Sequence, residues 1–365
     1  MTSLATLRAA IDEQGRRLAA AGRPRVQLME ICGTHTVAIS RGGLRDLLPD
    51  GLRLVSGPGC PVCVTASGYL DRAMHLAARA DVVIATYGDM VRVPGRSGSL
   101  EQARSAGAAV EVVYAAHEAV ALARRTPGKQ VVFLAIGFET TAPATALALQ
   151  QARREGVDNF SILGAHKRVV PAMKALLGLP DVPIDGFLCP GHVSVIIGWR
   201  AYRPIAAAFG RPCVVAGFDD VQILAGIGEI LRQLADAAPA ACSVYPAVAA
   251  DGNVRARQAI DEVFDVTDAT WRALGCIGAS GLDLKGEYAD FDAVRRFDLP
   301  AMVDYDPPGC RCGDMICGRC LPADCELFGR SCTPRRPVGP CMVSSEGSCA
   351  AYFKYHWRPR PKASP

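Results

Sequence analysis

Eight of the fifteen cysteines lie between Cys310 and Cys349, and three more stand in two short motifs near the start, Cys32-Gly-Thr-His35 and Gly57-Pro-Gly-Cys60-Pro-Val-Cys63. Thiolates are soft donors that select iron–sulfur clusters, zinc and low-valent metals. The chain therefore reads as two sulfur sites. One sits on a folded body and the other in a C-terminal stretch too small to fold on apolar burial alone.

Cys60-Pro-Val-Cys63 at the start of a helix puts two sulfurs within disulfide reach, and the helix N-terminus favours the first thiolate. Thioredoxin-type redox and a two-thiolate metal grip both use that arrangement. In Cys32-Gly-Thr-His35 the histidine either ligates a metal beside the thiol or acts as the base that activates it. The plain alternative is a core cysteine with His35 capping the next helix. Cys32, Cys60 and Cys63 form a three-sulfur site if the first two strands are neighbours, as sequential elements usually are.

Other chemistry-bearing residues fall in turns after strands. Glu139, in Gly137-Phe-Glu-Thr-Thr-Ala-Pro143, is a cleft candidate beside threonines that helix capping explains. His166 and His192 divide evenly between cleft residue and structural histidine. Cys213, Cys242 and Cys276 lie in apolar surroundings and read as core, and Cys189 leans the same way. In the C-terminal stretch, Cys325, Cys332, Cys341 and Cys349 are four thiols in Gly/Pro-rich loops, enough for a [4Fe–4S] cluster. Cys310, Cys312, Cys317 and Cys320 make a second quartet whose last pair resembles half a zinc knuckle.

Positioning these residues requires an α/β body. Short apolar runs at 26–31, 52–55, 82–85, 110–113, 131–136, 161–163, 186–188 and 214–216 alternate with segments of helical period such as 70–80 and 140–153. That alternation predicts parallel sheets covered by helices. Five polar or sulfur-bearing turns then follow strand ends, where open parallel sheets bind ligands. The expected fold is α/β, with two doubly wound parallel-sheet (Rossmann-like) units and a small Cys-rich, loop-rich C-terminal iron–sulfur module. The expected boundaries are 1–125 for a first unit carrying Cys32, Cys60 and Cys63, 126–300 for a second, and 301–365 for the module with its basic, frayed tail Lys354–Pro365. Thr126-Pro-Gly-Lys129 is the expected linker.

Half the residues are hydrophobic and 21% are charged, which suits a globular chain of 365 residues. The net charge of +4 does not suggest a nucleic-acid binder. From Cys310 onward there are nine Lys/Arg against four Asp/Glu, and 31 against 32 before it, so positive charge gathers around the cysteines. The amphipathic start, 1–27, lacks the apolar stretch of a signal peptide, and no run approaches the roughly 20 residues of a membrane span. A cytoplasmic chain is expected, where clustered cysteines point to metal or redox chemistry. There is no phosphate loop, no Gly-x-Gly-x-x-Gly after a strand and no nucleophile elbow, so no nucleotide is expected.

Cys32-Gly-Thr-His-Thr36, Gly57-Pro-Gly-Cys-Pro-Val-Cys63, Gly137-Phe-Glu-Thr-Thr-Ala-Pro143, Cys189-Pro-Gly-His-Val193 and Cys341-Met-Val-Ser-Ser-Glu-Gly-Ser-Cys349 together resemble the HypD family of hydrogenase maturation proteins. The match runs in order from about residue 26 to 356. The resemblance implies a redox-active scaffold, shared with a HypC-type chaperone, on which iron acquires the carbonyl and two cyanide ligands of the [NiFe]-hydrogenase centre. Cyanide would come from a HypE-type partner served by HypF. By the same resemblance Cys32, Cys60 and Cys63 belong to the mononuclear-iron and thiol-redox site with His35 as helper. Cys325, Cys332, Cys341 and Cys349 hold a [4Fe–4S] cluster, with Glu346 in the same block. The chain departs from the family pattern at Cys317 and Cys320, which look like additions, and at Gly217-Phe-Asp-Asp220. A rival reading with the same sulfur sites is an iron–sulfur thiol/disulfide oxidoreductase acting on a thioredoxin-like protein. A third is a zinc-stabilised interaction module.

Overall fold

The computed structural model describes residues 3–357. Eleven strands are present among them: β1 (Val26–Glu30), β2 (Leu52–Ser56), β3 (Val82–Thr86), β4 (Val110–Val112), β5 (Gln130–Gly137), β6 (Phe160–His166), β7 (Gly186–Cys189), β8 (Cys213–Val215), β9 (Ala241–Ser243), β10 (Phe264–Trp271) and β11 (Gly275–Leu284). Eight match the expected apolar runs to within a few residues. The helical segments expected at 70–80 and 140–153 appear as Ser67–Ala77 and Ala142–Glu155.

The strands form two parallel sheets, ordered β2-β1-β7-β8-β9 and β4-β3-β5-β6, plus the antiparallel pair β10-β11. Both parallel sheets start in the middle, add one strand on one side and then grow on the other. Strand order therefore reverses between β1 and β7 in the first and between β3 and β5 in the second. Such reversals open crevices at the carboxyl ends of the strands. Cys32 follows β1 and His192 follows β7, so both stand at the first crevice.

A boundary at 125/126 does not separate these sheets. The first takes β1 and β2 from before it and β7–β9 from after it, and the second is likewise divided between β3, β4 and β5, β6. Thr126-Pro-Gly-Lys129 is an ordinary helix-to-strand turn in which Lys129 N–H returns to Thr126 O at 3.0 Å. Apolar periodicity marks elements well, but nothing local in it says which strands pair.

One core packs the outer face of the first sheet against the helices Leu4–Ala20 and Asp220–Ala235. A second packs β5 and β6 against Ala116–Arg125, Ala142–Glu155 and the hairpin. The third and largest lies between the sheets and runs without a break into the C-terminal cysteines. The Leu4–Ala20 helix, capped by Ser3, takes up most of the amphipathic start and buries Ile11 and Leu18. Sequence reading missed β9 and the β10-β11 hairpin, where exposed Asp265, Asp268 and Asp283 interrupt the apolar run. The hairpin bridges to both halves of the molecule, at Thr65–Trp271 and Lys167–Gly281. Among the described residues no helix is long and apolar enough to cross a membrane. Of the expected frayed tail only residues 354–357 are described, and Lys354 and Tyr355 end the helix Ser348–Tyr355; the rest lies outside the described residues.

Candidate functional site

Cys32 leaves β1 as the N-cap of the helix Gly33–Arg41, and Cys60 leaves β2 as the N-cap of the short helix Pro61–Val64. Because β1 and β2 are paired in register, the two turns meet. Gly33 N–H donates to Gly59 O at 3.1 Å, and a side chain on Gly59 would collide with the Cys32 backbone. Cys60 and Cys63 form a disulfide, with Cα atoms 5.2 Å apart. The three expected sulfur residues are thus gathered at one strand-end crevice, and all three are buried.

Cys32 stands between two carboxylates. Glu30, fully buried, accepts from Cys32 N–H at 3.4 Å and from Thr36 Oγ1 at 2.6 Å, with Arg45 3.9 Å away. Glu346 accepts from Thr34 Oγ1 at 2.6 Å and lies against Gly33. Burial, then Glu346 and Glu30, push the Cys32 thiol up to about 12, so it is protonated here. Burial likewise lifts Glu30 to about 7. Sequence reading missed Glu30, although a glutamate at the end of the apolar run Val-Gln-Leu-Met-Glu-Ile was a usable signal.

His35 is fully buried, and burial lowers it to about 4, which keeps the ring neutral. Its Nε2 bonds Gly217 O at 2.9 Å, not Cys32, and its Nδ1 has no partner. The ring lies 4.9 Å from Phe218, on which exposed His192 stacks at 4.1 Å. The Gly217-Phe-Asp-Asp220 departure therefore supplies a wall of the crevice. His166 is structural, bonded to Thr145 Oγ1 at 3.0 Å and packed on Phe264.

Glu139 is placed elsewhere. Its carboxylate accepts Val169 N–H at 3.1 and 3.3 Å, at the start of the helix Val169–Leu177, and burial lifts it to about 7. It lines a cavity of about 340 Å³ with Arg168, Arg257 and apolar side chains but no cysteine. Glu139 follows β5 of the second sheet, against which the helix Pro61–Val64 also packs, and the cavity it lines includes none of the three cysteines. Cys276 is exposed on the hairpin and not in the core, while Cys189 and Cys213 are buried as expected.

The second sulfur group surrounds a small apolar pocket lined by Cys310, Cys312, Cys325, Cys332, Cys341 and Cys349 with Met315, Leu327, Phe328 and Met342. Cys312 and Cys341 are joined as a disulfide. The free thiols on the pocket are Cys310, Cys325, Cys332 and Cys349, so Cys341 of the expected quartet is replaced by Cys310. Four thiols on an apolar lining suit a [4Fe–4S] cluster. Among the described residues no three His, Cys, Asp or Glu side chains gather as closely as a single ion requires. Donors around a cubane stand farther apart, because iron and sulfide lie between them. Cys317 and Cys320 are buried off this pocket; Gly318 between them (φ +74°) packs on Met29 and Val55, and Arg319 pairs with Asp181 at 2.6 Å.

The two sulfur groups adjoin. Helix Pro61–Val64 packs against Cys312–Ile316 and Pro340–Met342, so the two disulfides share one core. The HypD family model, described as a hydrogenase formation family, matches residues 6–356.

The chain belongs to the HypD family.

It is 45% identical to the hydrogenase maturation factor HypD of Escherichia coli K12 over 337 residues, covering 92% of this chain and 90% of that protein. It is also 45% identical to HypD2 of Bradyrhizobium diazoefficiens over 338 residues, 90% and 89% of the two chains. HypD of Cupriavidus necator is 44% identical over 340 residues, 91% and 90%.

In this HypD-family chain two further residues at the site went unread in the sequence. Arg272, on the missed hairpin, donates from Nε to Cys63 O and from a terminal nitrogen to Thr65 O, each at 3.1 Å. Lys167, also buried, donates to Thr270 O at 2.7 Å and lies 5.1 Å from the centre of the Trp271 ring; burial lowers it to about 8.

Proposed function

We propose that this chain is a cytoplasmic [NiFe]-hydrogenase maturation factor. In this reading it joins a HypC-type chaperone, and the pair holds the iron that receives carbonyl and cyanide. Iron is here a substrate, held by sulfur from Cys32, Cys60 and Cys63. Cyanide arrives as a thiocyanate on a cysteine of a HypE-type partner that HypF serves. The observation that carries the reading is the contact between the Cys32 turn and the Cys60–Cys63 turn in a chain of this family.

The chain's own part is thiol chemistry. With Cys60 and Cys63 joined, neither sulfur is free to hold iron. Opening that bond takes two electrons and two protons and releases two thiols. Releasing cyanide from R–S–C≡N also takes two electrons: the S–C bond breaks, leaving a thiolate and cyanide. The Cys60/Cys63 dithiol supplies them by returning to the disulfide and giving up two protons, which leaves the iron on Cys32 until the pair is reduced again. Buried His35 is uncharged, and its Nδ1 is unpartnered, so it borders the crevice as a neutral ring. Burial, with Glu346 and Glu30, keeps the Cys32 thiol protonated until a cation replaces the proton.

Cys310, Cys325, Cys332 and Cys349 are the residues that would hold a [4Fe–4S] cluster. When bound, such a cluster supplies electrons one at a time. The Cys312–Cys341 bond lines that pocket on the side of the Cys60–Cys63 helix. Disulfides are rare in the cytoplasm unless they are redox-active, so two of them favour a redox role over a structural one.

The test is anaerobic co-purification with a HypC-type chaperone, followed by infrared spectroscopy. Bands of metal-bound carbonyl and cyanide are expected. Their absence from a complex that still shows cluster absorption would favour the thiol/disulfide oxidoreductase reading. Cys60→Ala and Cys63→Ala are each expected to abolish hydrogenase maturation and leave the visible absorption intact.

A further inference from the structure

Three consecutive carbonyls of the dithiol segment are capped by one residue. Arg272 donates from Nε to Cys63 O at 3.1 Å, from its backbone N–H to Val64 O at 2.8 Å, and from a terminal guanidinium nitrogen to Thr65 O at 3.1 Å. Helix Pro61–Val64 has only four residues, so nearly all its carbonyls lack partners within the helix. Buried carbonyls left unpaired are costly. Arg272 satisfies those that face the core and fixes the backbone on which Cys60 and Cys63 are spaced.

The side chain that does this carries a charge. It is 4% exposed, and its acidic partner is Asp306 at 3.5 Å, whose side chain is 61% exposed. A carboxylate in water offsets a buried cation only weakly. The positive field of Arg272 therefore acts inward, toward the helix that bears the disulfide. Trp271, 1% exposed, bonds from Nε1 to Ser280 Oγ at 2.8 Å and bridges Thr65, which fixes this end of the hairpin beside the helix.

We propose that Arg272 is a positioning residue that sets the redox potential of the Cys60–Cys63 pair. The inference rests on the reading of that pair as a reversible dithiol. Oxidised, the pair is neutral. Reduction breaks the S–S bond, and the sulfurs take up two protons, or one when a thiolate is left. A fixed cation stabilises any thiolate in the reduced state, and a pair whose reduced form is stabilised is the stronger oxidant. Arg272 thus makes the disulfide easier to open. The same three hydrogen bonds keep the two sulfurs near each other once they part.

The experiment equilibrates the full chain anaerobically in glutathione and dithiothreitol buffers of graded ratio. In each glutathione step, two glutathiones give up two electrons and two protons and leave as glutathione disulfide. Free thiols are then alkylated and the protein is digested with trypsin. The peptide Leu54–Arg72 contains Cys60 and Cys63 and no other cysteine, so its mass reports this pair alone. Arg272→Gln removes the charge and is expected to need a reducing ratio about tenfold higher for half-reduction, about 30 mV. Arg272→Lys keeps the charge and should titrate within about twofold of the parent. Asp306→Asn removes the exposed counter-charge and should shift the midpoint the opposite way, by about twofold.

Equal shifts in Arg272→Gln and Arg272→Lys, with none in Asp306→Asn, would make the role of Arg272 purely one of carbonyl capping and overturn the proposal. So would an Arg272→Gln midpoint equal to the parent's. If Arg272→Gln does not fold, the sign of the Asp306→Asn shift still decides. A parent pair that never interconverts across the series would instead sink the dithiol reading itself.

Discussion

Gly59 lies so close to Cys32 that no side chain fits between them; a Cβ on Gly59 would meet the nitrogen, Cα and carbonyl carbon of Cys32. Two turns 28 residues apart are locked together through backbone, and the sulfurs they carry share a crevice as a result. Gly59→Ala is expected to destabilise the fold by about 1–3 kcal/mol, the range of an overpacked core. It should also separate Cys32 from Cys60 and so impair maturation more than a stability loss of that size would. Urea denaturation alongside a maturation assay checks both.

Cys310 is a free thiol on the cysteine-lined pocket, whereas Cys341 is bonded to Cys312. Cys310→Ala removes a free thiol from the pocket and should lower bound iron and sulfide and bleach the visible absorption. Cys341→Ala removes a disulfide partner and should leave most of the iron in place. Iron and acid-labile sulfide analysis after anaerobic purification distinguishes them. The reverse pattern would restore the quartet of Cys325, Cys332, Cys341 and Cys349.

Glu139 makes stability depend on pH. Burial lifts its carboxyl from 4.5 to about 7. A raised carboxyl binds its proton more tightly when folded, so its contribution is fully present below about pH 4.5 and is lost as pH rises through about 7. The loss is on the order of 3 kcal/mol. Glu139→Gln keeps an oxygen for Val169 N–H and has no charge to bury. It should match the parent near pH 5 and exceed it near pH 8 in chemical denaturation. Greater stability of the parent near pH 8 would show that the carboxylate is not strained by burial.

Asp89 accepts from Ser344 Oγ at 2.9 Å and from Ser345 N–H and Oγ at 3.0 Å each. The next residue, Glu346, bonds Thr34 on the first-sheet unit. One loop of the cysteine-rich module thereby ties both α/β units. Asp89→Ala leaves the buried Ser344 hydroxyl without its acceptor, a loss of about 1–3 kcal/mol. Faster hydrogen exchange across 340–357 is expected, with the cysteines of the pocket still retaining iron.

Much of this molecule is local chemistry and could be read residue by residue. Eight strands were legible because their apolar runs are short and bounded by glycine and proline. The reactive turns were legible because Cys, His and Gly cluster after those runs. Sulfur near residues 32, 60 and 63 followed from the tendency of successive strands to pair, and β1 and β2 do pair. The hairpin carrying Arg272 was not legible, since its aspartates break the apolar pattern and the carbonyls that Arg272 meets, from Cys63 to Thr65, lie more than 200 positions away.

The amino-acid order alone determined the element types, the family and the residues able to do sulfur chemistry, because helix period, strand period and turn chemistry act over a few residues. Only the folded chain decided which sheet each strand joined, which cysteine of the module was spent in a disulfide, and which cavity Glu139 lines. Those outcomes depend on contacts between segments far apart in sequence. Pairing across such distances is chosen by total burial and by the satisfaction of buried polar groups, and no short window contains either.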